Sequence, residues 1–531
     1  MHADLSRVTH RPERHYSAVV AQQGRVQLDA DANEQAAIQL HQARTLTADL
    51  LGQHGGPAGA TGFAVDFRGG SRELDDLTIG GGRYYVDGIC CDATRPAPDE
   101  AVEEPPGADR PAPDGQDGDA HAGGKGDGRP RTTADPSAPA DWTYWDQPDA
   151  YRDPERPGDR LPTEYPYLAY LKVWERLVTA AEDPALREVA LGSATPDTTA
   201  RVKVVWQVLP LPGSELELPD GESDKDTVRA AFRRWAEEQS AHGSRLAARS
   251  HRPDHADEHP CLVGPDARYR GPENQLYRVE VHRGGSAGEA TFKWSRENGS
   301  VVFPVDALDG TWVELASLGQ DDKLDLTVGD RVEFCDTAYL SRGEPQPLLR
   351  VEELDLPGRR VRLSEEPAPG VGRRPELHPF LRRWDQPEDA GRTHRGDRGG
   401  RLRHGAVRIE EGEWLPLEDG VEVYFAAGGS YRSGEYWLVP ARTATGTVEW
   451  PVNAARKPLL RGPLGVRVHY APLAWVMGEG TPSDLRLAFP PLATAIPAAS
   501  EEELAAEAEV EAEAAALAAE EEAGAEPGAG N

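Results

Sequence analysis

Apolar and polar positions alternate with a period of two through much of this chain, the pattern of strands that keep one face in a core. In residues 200–211, Val202, Val204, Trp206 and Val208 alternate with Lys203, Val205 and Gln207. In 276–299, Tyr277, Val279 and Val281 face one way, Phe292 and Trp294 answer from a return strand, and a glycine-rich loop joins the two, which predicts a hairpin. Residues 77–92 read as two short strands around glycines with Gly88 in a second turn, and 165–180 as a further strand. Turn-rich DP and GSATPD stretches separate 165–180 from 200–211 and predict a loop there. Residues 324–366 predict four or so short strands in a small barrel-like module, and strands continue from 406 to 476.

Helical spacing is rarer. Asp31 with Glu34 three residues later is a capping-box-like start, followed by Ala37, Ile38, Leu40, Leu46 and Leu50, with Gly52 as the stop. Residues 224–249 predict an inserted amphipathic helix with Val228, Phe232 and Trp235 on one stripe. No repeat of 20–50 residues occurs, which argues against a solenoid or propeller. The expected class is mainly β (α+β): several small antiparallel sheets or barrel-like modules, an N-terminal arm and helix, one inserted helix, and a disordered acidic linker and tail. The expected division is 1–93 (arm, helix, hairpin region), 94–140 (linker), 141–320 (β domain with a helical insertion at about 212–262), 321–370 (barrel-like module), 371–499 (C-terminal β region) and 500–531 (tail).

Charge sharpens this division. The 531 residues carry a formal net charge of −33, which disfavours phosphate-backbone binding as a main activity. The excess is uneven, because 500–531 holds eleven Glu and no basic residue, and 94–140 is rich in Pro, Gly, Asp and Ala. Neither segment has the apolar content to offset ordering entropy. A basic stretch at 392–403 (RTHRGDRGGRLR) is a candidate contact surface despite the total. No apolar run approaches a membrane span, and residues 1–14 lack the apolar core of a secretory signal, so synthesis in the cytoplasm is expected. Four cysteines, two of them the neighbours Cys90 and Cys91, cannot build a disulfide framework.

Motifs that could carry chemistry each have a plainer reading. Gly284-Gly285-Ser286-Ala287-Gly288 matches a nucleophile elbow, but a strand follows it where the elbow needs a helix. His251, His255, His259 and Cys261, interleaved with Asp254, Asp257 and Glu258, form a metal-like cluster interrupted by Pro253 and Pro260. Glu175 (after Trp174, before Arg176) and Asp385 (after Arg382, Arg383 and Trp384) are carboxylates of the kind a glycosidase pairs, and twelve tryptophans keep glycan binding or polysaccharide degradation as the alternative function. The Gly-Gly-Lys-Gly run at 123–126 lies inside the linker, away from any strand-to-helix junction. The expectation is no catalytic, cofactor or metal residue, and no enzyme.

The ordered string HYSAVVAQQGRVQLDADANEQAAI (15–38), GGRYYVDGICCD (81–92), YLAYLKVWERLVTAAEDPALREVALG (167–192), DTTARVKVVWQV (197–208), GPENQLYRVEVHRGG (271–285), ATFKWSRENGSVV (290–302), LRRWDQP (381–387), LEDGVEVYF (417–425), YRSGEYWLVPARTATG (431–446) and HYAPLA (469–474) resembles a large bacterial domain-of-unknown-function family. Members are associated with gene clusters for phage-tail-like contractile injection systems and with N-terminal parts of some right-handed β-helix proteins. The resemblance implies a non-enzymatic structural component of such a particle, at the baseplate or its periphery. Its implied partners are other tail or baseplate proteins, with a homotrimer by analogy, and the implied location is a cytoplasmic or released particle. An N-terminal arm of this kind can cross to a neighbouring subunit; such motifs carry an aromatic where this chain has Ala32.

Overall fold

The computed structural model describes residues 2–70, 73–96, 141–192, 196–219, 224–250, 269–319, 324–387, 402–478 and 480–493. The linker beyond residue 96, with its Gly-Gly-Lys-Gly run, the cluster at 251–261, the basic stretch up to residue 401 and the acidic tail lie outside these residues. Strand dominates, in several small antiparallel sheets.

The hairpin forms as its alternation requires. Gln275–Arg283 and Thr291–Ser295 pair Val279 with Trp294 and Val281 with Phe292. They sit inside a six-stranded sheet, flanked by Tyr436–Arg442 on one side and Ala406–Arg408 on the other. Tyr277, Val279, Val281, Phe292 and Trp294 pack against Leu246, Val421, Val423 and Phe425 of a second sheet, making a sandwich core.

A closed barrel spans more than 321–370, and within 324–366 it has three strands with a helix between the first two, not the four or so strands expected there. Six strands between Val302 and Trp384 close it, filled by Phe303, Val313, Val332, Val351 and Leu381. The hairpin of Val302–Asp309 and Trp312–Leu315 and the last strand, Phe380–Trp384, complete the ring. A closed ring leaves no unpaired edge, which is why short strands suffice.

The longest strands, Tyr167–Val178 and Arg201–Pro212, pair along their whole lengths, with Val468–Val476 on the far side of the first. Here the simple alternation fails, because Val205, Trp206, Gln207 and Val208 are all buried. Trp206 meets Phe63 of the N-terminal sheets edge-on, while Gln207 donates to the carbonyls of Asp149 and Ser341. Both faces of the strand are therefore covered.

Three α-helices complete the described residues. Helix α1 (Asp29–Leu51) starts earlier than expected: Asp31 accepts from the Leu28 N–H, and Glu34 accepts from the Thr9 hydroxyl instead of closing a box. Gly52 ends it, and Gly88 permits its docking, since a Cβ there would meet the Arg44 carbonyl oxygen at 2.2 Å. Helix α2 (Lys225–Ser240) is capped by Asp224 and buries Val228 and Phe232. It stops well short of 249, because Leu246–Ser250 pairs with Val421–Phe425 as a strand. Helix α3 (Thr337–Arg342) follows the Asp336 cap on the outside of the barrel. No described helix is long and apolar enough to cross a membrane.

Candidate functional site

Alternation along the hairpin sends Arg278, Glu280 and His282 to the face opposite the sandwich core, joined by Lys293 from the return strand. That face does not meet water. The barrel presents Glu333 and Arg382, cross-strand neighbours whose flanking residues Val332, Phe334 and Leu381 point into the barrel core. The Asp385 N–H donates to the Trp294 carbonyl and seats the barrel strand against the hairpin. All six polar residues are at most 6 % exposed.

Burying such groups is tolerated only when they are paired and hydrogen-bonded. Lys293 Nζ lies 2.8 Å from Glu333 Oε1 and 3.2 Å from Glu280 Oε1, with the Trp384 ring 4.3 Å beneath it. Glu333 also accepts from the Tyr339 hydroxyl and from Trp384 Nε1. Glu280 Oε2 accepts from Arg278 Nε at 2.6 Å. Burial would raise both carboxyl pKa values, but Arg278 and Lys293 outweigh it at Glu280 and hold it well below the usual range. At Glu333, Lys293 and Arg382 do the same and bring it to about 2. Lys293 is held up in turn, its own burial outweighed by Glu333 and Glu280.

The start of the chain is built into this junction. His2 Nε2 lies 2.9 Å from Glu280 Oε2, and Asn298 Nδ2 donates to the Ala3 carbonyl. Burial, with Arg278 and Arg382 nearby, holds His2 well below its ordinary pKa. Ser6 then bonds Asp29, Arg7 pairs with Glu449, and Thr9 bonds Glu34. The expected arm is thus rooted on its own body at both ends, and residues 10–28 run mostly exposed between the roots, tied down at Glu13 by Arg461 and at Val19, whose N–H donates to Gln35 of α1. Along that loop and on α1, Val20, Val26, Leu46 and Leu50 are each more than 60 % exposed. Only Ala30 and Ile38 of the helix are buried.

Beside the junction lies a cavity of about 250 Å³. Its lining includes Lys172, Arg176, Glu182, His282, Arg342 and Arg382. Arg176 pairs with Glu182, and Arg342 with Asp159 and Glu344. Burial, then Lys293, brings His282 down to about 4, so its ring is neutral at neutral pH.

The residues singled out by sequence are placed otherwise. Ser286 lies on the hairpin connection, where Gly285–Ser286 pairs with Ser430–Tyr431, and its hydroxyl donates to Glu289. Glu175 lines the cavity but forms a two-pronged pair with Arg44 of α1. Asp385 accepts from the Arg296 N–H and pairs with Arg383 at the barrel junction. None of the twelve tryptophans is exposed: Trp294, Trp384 and Trp437 are fully buried, and Arg249 covers the half-buried Trp414 at 4.0 Å. Among the described residues no group of three or more His, Cys, Asp or Glu is placed to hold a metal ion. Cys90, Cys91 and Cys335 are free thiols. Sequence reasoning passed over Lys172, Arg278, Glu280, His282, Lys293 and Glu333. The available signal was charge at every second position of an otherwise apolar hairpin.

These features define a mainly β protein in which a sandwich and a barrel share one buried ion-pair network. The chain matches the model of the Family of unknown function (DUF6519) over residues 1–126 and 220–531, and it belongs to that family. Comparison with curated proteins and with solved structures finds no match.

Proposed function

We propose that the chain is a non-enzymatic structural component of a contractile phage-tail-like injection particle, at the baseplate or its periphery. The observation that carries the reading is the N-terminal element: a loop pinned at both ends and a helix beside it, with their apolar side chains in the open. Apolar surface of this kind, on a well-anchored support, fits a contact with a neighbouring protein subunit. The ordered motifs that resemble injection-system proteins supply the class of neighbour. The carboxylates considered for catalysis, Glu175 and Asp385, are each engaged by arginines.

Particles sedimented from producing cells provide the test. The wild-type chain should be recovered with the other particle proteins. A Val20→Ser, Val26→Ser, Leu46→Ser, Leu50→Ser variant should fold but stay in the supernatant. Absence of the wild-type chain from particles that hold their other components would overturn the reading.

A further inference from the structure

The ion pairs around the cavity leave two cations over. Glu333 is the cross-strand neighbour of Arg382, yet its oxygens are already taken by Lys293, Tyr339 and Trp384. Glu280 is likewise engaged by Arg278, Lys293 and His2. Arg382 is 5 % exposed, its Nε is buried without a hydrogen-bond partner among the described residues, and its guanidinium lies 5.2 Å from the Phe380 ring. No described carboxylate lies within ion-pair distance of it. Lys172, half-buried, also lines the cavity: its ammonium sits 5.0 Å from the Trp174 ring and pairs with no described acid. His282 adds a third unmet group, because its Nδ1 is buried with no partner among the described residues.

A buried cation whose nearest carboxylate is already engaged by other donors is costly, and here Arg382 lines one cavity with the half-buried Lys172 and an imidazole whose Nδ1 has no partner among the described residues. We propose that this cavity is a binding site for a small oxyanion, a carboxylate or a phosphate, held by Arg382, Lys172 and a ring N–H of His282. The chemistry favours oxygen over a halide, since a planar guanidinium donates two parallel N–H groups to a pair of oxygens. The volume of about 250 Å³ has room for a small guest. The proposal does not depend on the structural role proposed above.

Titration of the full chain by calorimetry tests it, with inorganic phosphate and succinate as the two probes and sodium chloride at matched ionic strength as the reference. Saturable binding of one probe per chain is expected, and the stronger arm tells phosphate from carboxylate. Arg382→Gln should weaken that binding by about tenfold or more, and Arg201→Gln, a surface control, should not change it. Lys172 is only partly buried, so Lys172→Met repeats the test should Arg382→Gln fail to fold. Binding of neither probe beyond chloride, or unchanged affinity in folded Arg382→Gln or Lys172→Met, would overturn the proposal.

Discussion

Two regions of this molecule reverse the usual placement of side chains. Between hairpin and barrel, Arg278, Glu280, Lys293 and Glu333 are buried; on the N-terminal loop and α1, Val20, Val26, Leu46 and Leu50 lie open. The charged interior is stable because separate segments deliver complementary groups to it: the chain start, the hairpin, two barrel strands and α3. The apolar exterior has no such completion among the described residues, and uncovered apolar surface costs roughly 25 cal/mol per Å² relative to burial. One region is closed by the fold itself, and the other is the surface to which the proposed contact with a neighbouring subunit is assigned.

The sharpest way to break the comparison is at its charged centre. Lys293→Met leaves two buried carboxylates short of their shared cation and should cost about 3–5 kcal/mol in denaturant unfolding. A loss below about 1 kcal/mol would mean that the network is incidental. A double-mutant cycle comes next: Glu333→Gln should cost less in the Lys293→Met background than alone, with a coupling of about 0.5–3 kcal/mol. Additive losses would show that the two groups do not act together.

A pH series gives a smaller effect of defined sign. The folded pKa of His282 is about 4, below the ordinary histidine value, so the unfolded chain takes up the proton first as pH falls. Its contribution is fully present above about pH 6.5 and is lost on the way down to 4, amounting to at most about 3 kcal/mol. Glu297 acts in the opposite direction, since burial and Asp385 raise it to about 7. The comparison of wild type with His282→Leu isolates the histidine: the gap between them should shift in the variant's favour as pH falls from 7 to 4.5. A constant gap would contradict the buried neutral ring. Smallest of all, Leu46→Ser and Leu50→Ser should each change unfolding free energy by no more than about 0.5 kcal/mol. A larger loss would show that these residues are packed within the chain.

Much of the fold was legible from local pattern. The hairpin register follows from its alternating residues, and the clustered short strands at 324–366 announced a barrel. Boundaries were less legible: the barrel borrows strands from both sides of its predicted range, and α2 gives way at Ser240 to a strand that exists only because Val421–Phe425 is there to pair with it. The candidate site was nearly invisible. Ser286, Glu175 and Asp385 drew attention through short motifs, yet their partners are ordinary ones in a hairpin connection and two ion pairs.

By itself the sequence determined where strands form and which side chains share a face, because a period of two is a local property of extended backbone. It also determined that charge would stand on one face of the 275–283 strand. Whether that face met water was decided only in three dimensions, when barrel closure turned Glu333 and Arg382 outward onto it. The physical reason is that the cost of a buried charge depends on partners tens to hundreds of residues away. His2 reaches Glu280 across 278 residues and Lys293 reaches Glu333 across 40, separations that no local pattern records.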